Sequence, residues 1–99
     1  MAIMQITVIP LGTGSPSVGA HVAAVQAFLA QEGVPYLITD MGTVIQGGAG
    51  ELLALAAKIH EIPFAHGVQR VVTQVALDDR RDKKVGLGDK VAAVRARLA

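Results

Sequence analysis

Side chains with the type for chemistry are few in this sequence, and they fall in three places. His21, His60 and His66 are its histidines, Gly12-Thr13-Gly14-Ser15-Pro16-Ser17 is a glycine-rich loop, and Asp78-Asp79-Arg80-Arg81-Asp82-Lys83-Lys84 is a dense run of both charge signs. Two metal ligands on one helix face need a spacing of about three or four. His60 and His66 are six apart, and His21 and His60 each lie beside an apolar helical stripe. Ordinary hydrogen-bonding partners are expected for them, and no metal site. The glycine-rich loop follows a strand-like segment and opens a helical one, where free N–H groups hold anions. It lacks the third glycine of G-x-G-x-x-G, Ser17 standing in that position, and it has no Gly-Lys-Ser/Thr. A tight turn with Ser15 or Ser17 as helix cap is the simpler expectation. In the charged run, the paired aspartates suit a cation and the paired arginines a phosphate, but alternating signs at this density more often pair with each other or with a neighbouring subunit.

For covalent catalysis the inventory is shorter still. Ser15 and Ser17 are the only serines, neither sits in G-x-S-x-G, and cysteine is absent. Asp40 with a histidine is the remaining acid–base combination, and no spacing proposes it. The chain is therefore expected to bind and not to catalyse.

The elements that position these groups follow from periodicity. Met4, Ile6 and Val8 alternate with Gln5, Thr7 and Ile9, as in a strand with one buried face. Val18, Val22, Val25 and Leu29 then form a helical stripe ended by Gly33. Tyr36 to Met41 and Thr43 to Gln46 read as two short strands meeting near Gly42. Leu52, Leu55, Ala56 and Ile59 give a second helix, which Pro63 should end or kink before Gly67. Arg70 to Leu77 is the last strand, and Leu87, Val91, Val94 and Leu98 mark a C-terminal helix. Gly33-Val34-Pro35-Tyr36-Leu37-Ile38-Thr39 resembles Gly67-Val68-Gln69-Arg70-Val71-Val72-Thr73, each leaving a helix and entering a strand. Two similar β-α-β halves predict an α+β, ferredoxin-like βαββαβ sandwich with an added C-terminal helix. In that topology the second and fourth strands are edges. Pro35 suits an edge, whereas Val71 to Leu77 has neither proline nor charge and invites another chain.

If Met4, Ile6 and Val8 face the helices, Gln5 and Thr7 face away, and Gln74 is expected beside them. A few donors and acceptors in an apolar wall suit a small heteroaromatic ligand. Composition bounds the rest. With 99 residues, residues 1–99 form one domain; 52% are hydrophobic and 17% charged, so the surface is poor in charge and self-association is expected. Residues 1 to 50 hold no Lys or Arg, and the second half carries +3 from nine basic against six acidic residues. With only Tyr36, Phe28 and Phe64 as aromatics, the chain does not read as a nucleic-acid binder. No signal peptide or membrane span is read, and the absence of cysteine suits a reducing, cytoplasmic setting.

Several segments together carry a resemblance. Val8-Ile9-Pro10-Leu11-Gly12-Thr13-Gly14-Ser15-Pro16-Ser17, Met41-Gly42-Thr43-Val44-Ile45-Gln46-Gly47, Gly67-Val68-Gln69-Arg70-Val71-Val72-Thr73 and Asp78-Asp79-Arg80-Arg81-Asp82-Lys83 resemble, in order, the small thiamine-binding (YkoF-like) family. The resemblance implies a ferredoxin-like domain, dimers or tetramers built through strand edges, and non-catalytic binding of thiamine or its hydroxymethylpyrimidine moiety by a carrier or sensor. It carries Thr43 into the site. An aminopyrimidine wants mixed donors and acceptors, for which Gln5, Thr7, Asp40 and Gln74 are candidates on the open sheet face. Tyr36, Met41, Ile9 and Val72 are candidate walls for its ring. No other cofactor is implied. Gln46 stands where the family commonly has Glu, a neutral amide in place of a carboxylate. The competing classes are a small enzyme of thiamine-precursor metabolism, using the Gly12 to Ser17 loop for phosphate, and a purely structural oligomer.

Overall fold

The structure, a computed structural model, describes residues 1–99. Strand β1 (Ala2–Leu11) alternates as its sequence demands: Ala2, Met4 and Ile6 are buried while Gln5 is exposed. It is followed by α1 (Gly19–Glu32), β2 (Tyr36–Thr39), β3 (Gly42–Gly47), α2 (Ala49–Ala65), β4 (Arg70–Asp79) and α3 (Asp89–Leu98). The four strands make one antiparallel sheet in the order β2-β3-β1-β4. This is the expected ferredoxin-like sandwich with a C-terminal helix, and β2 and β4 are its edges. Val25 and Leu29 of α1 and Leu52, Leu55, Ala56 and Ile59 of α2 close over Met4, Ile6 and Ile45 to form a single core on one side of the sheet.

Local differences from the periodicity have local causes. Neither Ser15 nor Ser17 caps α1. The Ser15 hydroxyl instead accepts the Ser17 N–H at 3.1 Å, a serine turn, and the helix starts from Val18 with no side-chain cap. Pro63 lies inside the last turn of α2, buried, and the helix runs two residues further before Gly67 turns the chain at φ 90°. Leu87 precedes α3, whose Val91, Val94 and Leu98 are exposed at 53%, 56% and 80%. With no residue of α3 buried, the radius of gyration is 14.8 Å, against about 13 Å for a compact domain of this size.

The charged run pairs largely within itself: Arg80 with Asp82 at 2.6 Å, Arg81 with Asp79 at 2.8 Å and Lys90 with Asp78 at 2.8 Å. The hydrogen bond from Arg81 lowers the Asp79 pKa, and that from Arg80 lowers the Asp82 pKa. These carboxylates therefore favour the folded chain at neutral pH, and that small contribution is lost as pH falls through their lowered values.

Gly42 closes the β2–β3 hairpin, where Thr39 pairs with Gly42. No non-glycine residue in the chain takes positive φ, so Asp40 and Met41 do not form the mirror-image turn that hairpins favour. Gly42 absorbs the mismatch at φ 152°, and a Cβ there would lie 2.7 Å from Thr7 Oγ1 and 3.0 Å from the Ile6 carbonyl oxygen. Gly42→Ala is expected to destabilise the fold by about 1–3 kcal/mol, read as a lower urea midpoint with unchanged slope.

Candidate functional site

Position 43 is where the sheet breaks its own pattern. Thr43 lies opposite Ile6 on β1 and Ile38 on β2, so its side chain faces the helices, where alternation otherwise supplies Met4 and Ile45. It is 6% exposed, and its Oγ1 accepts a hydrogen bond from Gln26 Nε2 of α1 at 2.9 Å. Around this pair, between α1 and the hairpin turn, lies a cavity of about 270 Å³. Small-molecule sites span roughly 300–1,000 Å³, so this one suits a ligand of one or two rings.

The walls come from residues the core leaves over. Val18 and Val22 continue the α1 stripe past the end of the packed region and are each 37% exposed. With Ile6, Val8 and Ile38 they form apolar sides, while Thr39, Asp40 and Met41 form the rim. The rim is fixed by Thr7 Oγ1, which donates to the Met41 carbonyl at 3.0 Å, and by Thr39 Oγ1, which donates to the Gly42 carbonyl at 2.8 Å.

Two buried side-chain atoms in the chain have no hydrogen-bond partner, Gln26 Oε1 and His21 Nδ1, and both residues line this cavity. An orphaned buried polar atom costs about 1–3 kcal/mol, and native structures keep few of them. Gln26 also holds the Thr43 hydroxyl, and His21 lines the same cavity. Gln26 offers an acceptor, Thr43 a hydroxyl proton, and His21 a ring nitrogen that donates or accepts according to tautomer.

The sequence-derived candidates divide accordingly. Thr43, Asp40, Met41 and Thr7 line the cavity, as does Ile9. Gln74 does lie directly opposite Thr7, but Gln5 and Gln74 stand on the open face, away from this cavity. Tyr36, opposite Ile45, packs against the core, and Val72 is on the open face with Ile9 as its strand partner. The cavity thus lies at the end of the sheet between α1 and the hairpin turn, lined by Thr7 and Ile9 from the face that carries Gln74 and Val72 as well as by Ile6, Val8 and Thr43 from the helix face. Val18 and Val22, at the start of α1, are left half-exposed along it. Gln26 and His21 were not singled out as ligand groups. Their signal was present, since Gln26 follows Val22 by four and His21 follows Val18 by three, polar groups set into an apolar stripe.

The other histidines have local roles. His60 Nδ1 is 2.7 Å from Thr73 Oγ1, an ordinary partner joining α2 to β4, and His66 follows α2 with its ring 6.0 Å from that of His21. No three His, Cys, Asp or Glu side chains gather into a metal-binding group. Gln46 is outside the cavity; its Oε1 accepts the Leu87 N–H at 2.9 Å and anchors the segment before α3.

Comparison with known proteins gives these features a context. The model of a family described as thiamine-binding protein matches residues 4–95. UPF0045 protein YqgV of Bacillus subtilis is 45% identical over 102 residues, covering 99% of this chain and 98% of its own. A UPF0045 protein of Methanothermobacter thermautotrophicus is 39% identical over 99% of this chain and 100% of its own. Among solved structures, hypothetical protein MJ1052 of Methanocaldococcus jannaschii superposes with a TM-score of 0.83 at 28% identity, covering 95% of each chain. A Thermotoga maritima protein described as a candidate for thiamine biosynthesis or salvage superposes with a TM-score of 0.77 at 16% identity, over 95% of this chain and 98% of its own, a likeness of fold.

The Gln26–Thr43 pair yields a test that needs no ligand. Thr43→Val strands the Gln26 amide entirely and should lower stability by about 1–3 kcal/mol, whereas Thr43→Val with Gln26→Leu should return to within about 1 kcal/mol of the parent in urea unfolding. A double variant no more stable than the single would mean that the pair is not a buried unit.

Proposed function

The chain belongs to the thiamine-binding protein family, and from that premise we propose that it binds the aminopyrimidine ring of thiamine, or free hydroxymethylpyrimidine, between α1 and the β2–β3 turn. The single observation that carries this is that both residues with orphaned polar atoms line, with Thr43, one apolar cavity. An aminopyrimidine presents acceptor nitrogens beside an amino donor. Gln26 Oε1 is an acceptor for the amino group, and Thr43 and His21 are donors for ring nitrogens. Val18, Val22 and Ile38 supply the apolar walls for the ring, and Asp40 at the rim supplies a negative charge for the thiazolium. A carrier or sensor in the cytoplasm fits these properties. No helix is long and apolar enough to cross a membrane.

The same proposal includes assembly. On β4 the open edge carries Val72, Val75 and Leu77 at 38–42% exposure, and α3 carries the exposed stripe of Val91, Val94 and Leu98. Edge pairing of β4 with a second copy makes a dimer, and the separate α3 stripe gives a second surface from which a tetramer follows.

Calorimetry with thiamine and with hydroxymethylpyrimidine tests the site. Both should bind, Thr43→Val should lose about 1 kcal/mol of affinity, and Gln26→Leu should lose at least as much. No binding of either compound to the parent would remove the function. For assembly, light scattering should report a mass above the monomer at micromolar concentration, and Val75→Lys on the β4 edge should shift it toward monomer.

A further inference from the structure

A second cavity adjoins the first, at the end of the sheet where Leu11 leaves β1 and Arg70 enters β4. It is open, about 710 Å³, and its walls are mostly polar. Arg70, His66 and His21 line it, and His21 is in the wall of both cavities. No carboxylate lines it. Arg70 is in no ion pair, whereas Arg80, Arg81 and Lys90 each hold an aspartate. The His21 and His66 rings are 6.0 Å apart, close enough for one tetrahedral anion to meet both.

A guanidinium fork with two imidazoles and no opposing carboxylate is a receptor for an oxyanion, and the guanidinium matches phosphate oxygens in geometry as well as charge. The shared His21 relates the two sites. A molecule with its ring beside Thr43 and Gln26 would run past His21 toward Arg70. We infer that the second cavity takes a phosphate group, so that the favoured ligand is a phosphate ester of the ring compound and not its free alcohol. The identity of the ring rests on the function proposed above; the anion site does not.

Calorimetry on the full chain with thiamine, its monophosphate and diphosphate, alongside an NMR titration with inorganic pyrophosphate, separates the two. The esters should bind roughly tenfold to a hundredfold tighter than thiamine, the worth of hydrogen bonds to a charged group. In Arg70→Gln that ratio should fall toward one, with His66→Asn giving a partial loss. Pyrophosphate should shift the amide resonances of Gly12, Gly67 and Arg70 in the parent and not in Arg70→Gln. Esters no tighter than thiamine, or an advantage that survives both substitutions, would overturn the inference while leaving the ring site standing. If thiamine itself does not bind, Arg70-dependent pyrophosphate shifts keep the anion site and remove the ring; their absence removes both.

Discussion

Strand β1 carries two ladders at once, pairing with β3 from Ala2 to Ile6 and with β4 along its whole length from Ala2 to Leu11. Its two-residue period therefore sets the facing of every other strand. A slip of one residue would turn Met4 and Ile6 away from the helices and bring Gln5 and Thr7 under them, so the buried face admits one register. Thr43 is held on the core side by this constraint, opposite Ile6, where its hydroxyl meets Gln26 of α1. Core and site thus share one origin.

The cavity is the place where consistency between levels is relaxed. A well-packed domain this small would gain from an apolar residue at position 43 and another at position 26. The chain instead keeps a hydroxyl and an amide there, leaves Gln26 Oε1 and His21 Nδ1 unpartnered, and holds Gly42 at a backbone angle that other residues avoid. Each departure is a local loss of stability, and all three border the same gap between α1 and the hairpin turn. Clustering of that kind gathers the fold's local losses at one place.

A second economy concerns what the chain leaves uncovered. An ion pair between Lys90 and Asp78 ties the start of α3 to the end of β4, and Gln46 clamps the segment before the helix. The helix is thereby aimed but not packed. Its apolar stripe and the charge-free Val71 to Leu77 stretch of the β4 edge remain outside the single core, in a chain whose low charge makes such surfaces costly in isolation.

By itself the sequence determined the order of elements, the single core and the two edge strands, because each rests on periodicity and on glycine or proline positions that act within a few residues. It also offered Thr43, Asp40, Met41, Thr7, Gln5, Gln74 and Tyr36 as ligand groups, through family motifs, strand alternation and residue chemistry, and the first four line the cavity. What it did not determine is where a gap is left between α1 and the hairpin turn. That depends on helix ends and packing angles: Val18 opens α1 without a cap from Ser15 or Ser17, and α3 stays off the core although its stripe is apolar. Only the tertiary structure brought Gln26 of one helix against Thr43 of one strand and set His21 between an apolar cavity and a polar one. Residues 17 apart in the chain acquire a shared chemistry only once the sheet and helix are packed. Packing alone left the gap between α1 and the hairpin turn, since alternation distinguishes the two faces of a sheet but not where a helix and a turn fail to meet.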